Sequence, residues 1–159
     1  MRKSSLFAAC LALYGVHACA QELAGEALRA PLDTVTVAGR ELHLSIGPGS
    51  GLTHAHGTAW TDFYAVSDRG PNIPCNKSSK VLGKEVCSKS EVIFPIPDYT
   101  PSIYPLLVQG GQVSLRGEPI PLHAANGQNF SGLPPQLPKG EKPLNGQLQP
   151  LPFSPNGVD

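Results

Sequence analysis

Asp68 and Arg69 stand side by side where the aromatic and β-branched run Phe63-Tyr64-Ala65-Val66-Ser67 stops at Gly70-Pro71-Asn72. A carboxylate can hold a divalent cation, and a guanidinium can clamp phosphate oxygens with two parallel donors. One of each at a strand exit is the pair that metal-assisted hydrolysis of a phosphate ester uses. Strand-exit loops are also where sites are commonly built. The plain alternative is that the two residues pair with each other or cap the turn. His54 and His56, two apart, would share a face of an extended segment and reach a metal or a phosphate together, but no third ligand accompanies them, and the simpler reading is a surface pair. Ser67 precedes an acid and does not sit in a Gly-x-Ser-x-Gly elbow, so serine-hydrolase chemistry has no support. His43 falls on the polar side of its strand, His123 has no evident partner, and Asn126 to Asn129 reads as a turn.

Short strands and turns must position these residues. Thr34-Val35-Thr36-Val37 and Glu41 to Ile46, joined through Ala38-Gly39-Arg40, predict a hairpin with Leu42, Leu44 and Ile46 alternating against polar neighbours. Phe63 to Ser67 and Glu91 to Phe94 predict further strands. Leu106-Leu107-Val108 and Gln112 to Leu115 flank Gly110-Gly111, a pair suited to the positive φ angles of a tight turn. Helical periodicity is nearly absent, Glu22 to Arg29 being its one candidate. Prolines 134, 135, 138, 143, 150, 152 and 155 exclude central strands from the last stretch, which reads by itself as a linker or tail.

The first twenty residues read as an export signal. Arg2-Lys3 form a positive head, Leu6 to Val16 an apolar stretch too short to span a bilayer, and Ala18-Cys19-Ala20 a cleavage site before Gln21. A lipid-modified Cys19 is the alternative. Removing Arg2 and Lys3 from twelve basic and twelve acidic residues leaves ten against twelve, a net charge of −2. That balance provides no basic footprint for nucleic acid and no polybasic patch for a membrane surface. Only Cys75 and Cys87 remain, and in an exported protein they most simply form one disulfide around a polar surface excursion. Seventeen prolines and seventeen glycines describe short strands separated by frequent turns, hence an all-β fold.

The order of Ser67-Asp68-Arg69-Gly70-Pro71, Ile93-Phe94-Pro95-Ile96-Pro97, Pro101 to Leu106, Ile120-Pro121-Leu122, Ser131-Gly132-Leu133-Pro134 and Pro155-Asn156-Gly157-Val158-Asp159 resembles the opening of the family known as esterase-like activity of phytase, or phytase-like domain proteins. The likeness runs from about Gly51 to the last residue; upstream of Phe63 the histidine-bearing segment replaces a longer hairpin. The resemblance implies a β-propeller-like fold, present here as an incomplete amino-terminal fragment over residues 21–159, with the proline-rich stretch a long loop returning to a strand near Leu151-Pro152-Phe153. It also implies an exported, periplasmic or secreted hydrolase acting on small-molecule phosphate esters. Asp68, Arg69 and Asp159 would be its catalytic residues here, and Asp68 and Asp159 would bind Ca²⁺ or Mg²⁺. No transmembrane segment and no nucleic-acid partner are expected. The rivals are a non-catalytic secreted propeller that binds a ligand through the same rim, and an inactive truncated fragment.

Overall fold

The computed structural model describes residues 30–157 apart from 48, 50, 58, 138 and 139. The export signal, the Glu22 to Arg29 helix candidate and Asp159 lie outside the described residues. The remainder is mostly β, arranged as three open sheets, none of them closed on itself. No described helix is long and apolar enough to cross a membrane.

Strands β1 (Pro31–Val37) and β2 (Arg40–Ser45) pair antiparallel through the Ala38-Gly39 turn, as the alternation predicts. Leu42 and Leu44 are half-buried while Glu41 and His43 face solvent. His43 is the solvated strand residue expected, 3.0 Å from the Thr34 hydroxyl and 3.5 Å from Glu41. The hairpin docks its end on a distant turn: the Ala38 amide donates to the Gly146 carbonyl at 2.8 Å, and Val37 is fully buried.

A second sheet runs β3 (Gly51–His54), β4 (Asp62–Val66), β7 (Ser102–Gln109) and β8 (Gln112–Leu115), with β9 (Ile120–Pro121) also paired to β7. Gly110 and Gly111 take φ angles of 60° and 79° and make the expected tight turn between β7 and β8. Opposed residues in antiparallel strands share a face. Phe63 opposite Leu106 and Ala65 opposite Tyr104 therefore look one way, where Ile46, Val113 and Leu115 complete a core. Tyr64 opposite Pro105 and Val66 opposite Ile103 look the other way.

The third sheet has the order β10 (Lys142–Leu144), β6 (Glu91–Ile93), β5 (Ile73–Pro74). Its central strand is buried on both faces. Ile93 packs with Val37, Ile73, Cys75, Leu82 and Leu144, while Val92 and Phe94 pack with Leu133 and Leu151 on the opposite side. A continuous apolar run such as Val92-Ile93-Phe94 is what a two-faced strand needs.

Two expectations change here. The stretch between Cys75 and Cys87 is more than a polar excursion: a 3₁₀ turn (Cys75–Lys77) leads into a short helix, α1 (Ser78–Leu82), and Leu82 enters the core at 5% exposure. Five residues present no periodicity to read, and so short a helix is held by its attachments. These are the Ser78 hydroxyl donating to the Cys75 carbonyl at 2.8 Å, the left-handed Gly83 that ends the helix, and the disulfide. The proline-rich stretch is likewise no tail. Its strand lies at Lys142–Leu144, paired parallel with β6, and Leu151-Pro152-Phe153 is irregular. Pro143 is tolerated because β10 is an edge strand, consistent with the rule that excludes proline from central positions.

Candidate functional site

Strand β4 ends against β7, and the chain turns at once. Ser67 anchors the exit, its amide donating to the Ser102 carbonyl at 3.0 Å. Its hydroxyl oxygen accepts from the Ser102 amide at 3.0 Å and from the Tyr99 hydroxyl at 2.7 Å, and donates to the Ser102 carbonyl at 3.4 Å. Both lone pairs and the proton are thus committed in a site 4% exposed, so Ser67 is a structural hub and not a nucleophile. Tyr99 continues the chain of hydroxyls to Tyr104 at 2.9 Å.

Gly70, at φ 69°, turns the chain under the Tyr99 ring, where a Cβ would run into the ring carbons. Gly132 passes so close to the Arg69 carbonyl that it too has no room for a side chain, and its amide donates to the Tyr99 carbonyl at 3.0 Å. The Ser-Asp-Arg-Gly-Pro turn and the Ser-Gly-Leu-Pro segment, 64 positions apart in Ser67 and Ser131, are thereby clamped about one tyrosine.

The two residues singled out by the sequence diverge from this hub. Asp68 is exposed, and its Oδ1 accepts from the Arg69 amide at 2.6 Å, so it does cap the turn. Its side chain also borders a cleft of about 120 Å³ lined by Leu32, Ser45, Gly47, Gly70 and Tyr99. Arg69 turns inward, its side chain 15% exposed, and makes an ion pair with Glu141. The guanidinium carbon lies 5.4 Å from the centre of the Phe94 ring, a cation–π arrangement. Asp68 and Arg69 are therefore neighbours in sequence whose side chains serve different surroundings, and they do not pair with each other.

The remaining candidates resolve individually. His54 stacks on Trp60 with ring centroids 4.5 Å apart, meets Phe63 edge-on, and places Nε2 2.9 Å from the Ala59 carbonyl. It shapes the β3–β4 loop, while His56 is an exposed turn residue. His123 forms an isolated bridge with Asn129, and the Asn126 carboxamide accepts from the Gln128 amide at 3.0 Å to close the expected turn. Cys75 and Cys87 are joined as expected, with Cα atoms 5.4 Å apart. Glu91 approaches the two sulfurs, but with both in a disulfide this trio offers no thiolate to a metal. Around Asp68 the described donors are one carboxylate and neutral oxygens. These are too few for Ca²⁺ or Mg²⁺ on their own.

Tyr99, Tyr104, Ser102 and Glu141 carry the geometry of this site. The tyrosines had a signal in the sequence, since buried tyrosines seek a partner for the hydroxyl and two of them flank the Thr100-Pro101-Ser102-Ile103 stretch. Glu141 had none. Burial pushes the Tyr99 hydroxyl well above the usual tyrosine range; the Ser67 hydrogen bond opposes this, and the Tyr104 and Asp68 contributions add to it. In the unfolded chain a tyrosine ionises near pH ~10. The stability linked to neutral Tyr99 is accordingly complete below that pH and is lost as pH rises above it. Thermal melting followed from about pH 8 to about pH 11 should show a steeper alkaline loss for the native chain than for Tyr99→Phe. At neutral pH that variant should be less stable by about 1 kcal/mol, because two hydroxyls lose a partner.

The described residues thus define a mostly β protein with a disulfide-stapled helical loop and a strand exit locked by buried hydroxyls. No known protein family, curated protein or solved structure matches the chain.

Proposed function

We propose that this chain is an exported phytase-like hydrolase of propeller type that acts on small-molecule phosphate esters through the Asp68 loop. The observation that carries this reading is the placement of Asp68: an exposed carboxylate at a strand exit, beside a cleft that Tyr99 and Ser45 also line. Its Oδ1 is used by the turn, while among the described residues Oδ2 accepts no hydrogen bond. The ordered motifs from Ser67 to Asp159 support the same assignment. Arg69 then fixes the loop from beneath, through Glu141 and the Phe94 ring. A Ca²⁺ or Mg²⁺ ion would take Asp68 as one oxygen ligand and would require further carboxylates, for which Asp159 is the sequence's candidate.

The decisive measurement is hydrolysis of a phosphate monoester and a diester with Ca²⁺ or Mg²⁺, repeated in chelator, alongside calorimetric titration of the cation. Asp68→Asn should lower the cation-stimulated rate and the cation affinity by about tenfold or more, since an amide keeps the shape and removes the charge. Arg69→Lys should lower turnover through the loop, because lysine cannot reproduce the planar fork. Native chain that binds no cation and turns over neither ester would exclude the proposal. A second reading, a secreted binding module without catalysis, is favoured by the engagement of Arg69 with Glu141, which directs its charge away from the cleft. It would be marked by ligand binding at the Asp68 cleft with no turnover.

A further inference from the structure

Strand β3 is an edge of the five-stranded sheet, hydrogen-bonded to β4 on one side alone among the described residues. Natural edge strands are protected by charge, proline, a bulge or a covering element. Gly51-Leu52-Thr53-His54 contains no proline and no charged residue, and its register with β4 is unbroken. The neutrality extends outward, because from Leu42 to Thr61 the chain carries no Asp, Glu, Lys or Arg.

Both faces of this edge are apolar. On the face shared with Ala65 and Tyr104, Leu52 is 67% exposed, and Trp60, stacked on His54, is 84% exposed. On the other face lies an apolar groove of about 360 Å³ that includes Tyr64, Val66, Ile103 and Leu122. Gly51 keeps it open at the β3 end, since a Cβ there would stand 3.2 Å from the Val66 side chain. A helix or a protruding loop would cover one of these faces. A strand added at the edge sends alternate side chains to both.

We infer that β3 is a homodimer interface, at which β3 of a second copy adds antiparallel and joins the two five-stranded sheets edge to edge. Charge selects this occupant. A two-fold pairing brings identical residues together, so any charged group at the strand would oppose itself. Here there is none, and the uncharged stretch from Leu42 to Thr61 around the strand brings no like charge against its copy. The pairing is independent of the phosphate-ester reading and involves neither Asp68 nor Arg69.

Sedimentation equilibrium of the purified chain over a range of concentrations should show a discrete monomer–dimer equilibrium. Emission of Trp60, the chain's single tryptophan, should shift to the blue as dimer forms. Leu52→Lys should raise the dimer dissociation constant by about a hundredfold, because two like charges then face each other across the two-fold. Leu52 is exposed enough that this variant should keep the native melting temperature. Leu52→Cys should cross-link two copies on mild oxidation, whereas cysteine at Leu137, another exposed leucine, should not. Three outcomes would overturn the inference: a native chain that stays monomeric at every concentration, a monomer that instead captures a β3-sequence peptide without self-associating, or a dimer dispersed equally by Leu137→Lys.

Discussion

Phe94→Ala should lower the free energy of unfolding by about 3–5 kcal/mol, the cost typical of emptying a buried phenylalanine site. Phe94 is 1% exposed and fills the space between Val92, Leu133 and Leu151. Its amide donates to the Leu144 carbonyl at 2.8 Å, so the backbone around the cavity is tied and cannot collapse freely. Total stabilities of single domains run to about 5–15 kcal/mol, so the loss would consume about a fifth of the reserve or more. The ring also underlies Arg69 at 5.4 Å, and its removal should loosen the Asp68 loop together with the core. Urea titration checks this through a lower midpoint at unchanged slope. Phe94→Leu, which preserves most of the volume, should cost under about 2 kcal/mol. Equal effects of the two variants would show that ring volume is not what holds this core.

Removing the Cys75–Cys87 bridge, by reduction or by the double change Cys75→Ser and Cys87→Ser, should cost about 3 kcal/mol from the freed loop entropy alone. The loss should be locally concentrated. Helix α1, Ser78–Leu82, is too short to persist by its own hydrogen bonds and carries Leu82 into the same core as Cys75. Amide exchange from Ser78 to Gly83 should accelerate well before that of β4 or β7 when the bridge is opened. Uniform acceleration across the chain would mean that the bridge holds the whole fold and not this loop. A serine at position 75 would add to the loss, because Cys75 is 3% exposed and a hydroxyl there would need a partner.

Much of the architecture was legible because its signals are local. The Ala38-Gly39 and Gly110-Gly111 turns between alternating strands, the short strand at Glu91–Ile93 and the disulfide all follow from residues adjacent in the chain or from counting the remaining cysteines. Pro143 illustrates the limit of that reading. Proline rightly forbids a central strand, but nothing local says that an edge position is vacant beside β6, so the strand was expected at Leu151 to Phe153 and lies at Lys142–Leu144.

The site divides in the same way. By itself the sequence determined that Asp68 and Arg69 leave a strand together and that Gly70 must turn immediately after them, because bond geometry and glycine's freedom act between neighbours. Only the tertiary structure decided that the two side chains part company: Arg69 goes inward to Glu141, 72 positions away, and Asp68 stays at the cleft with Tyr99. Tertiary packing also made Ser67 a buried hub shared with Tyr99 and Ser102, and left β3 with two apolar faces and a free edge. Ion pairs, buried hydroxyl networks and exposed edges depend on which distant segments meet. That is set by the sum of packing over the whole chain, and no short window of residues contains it.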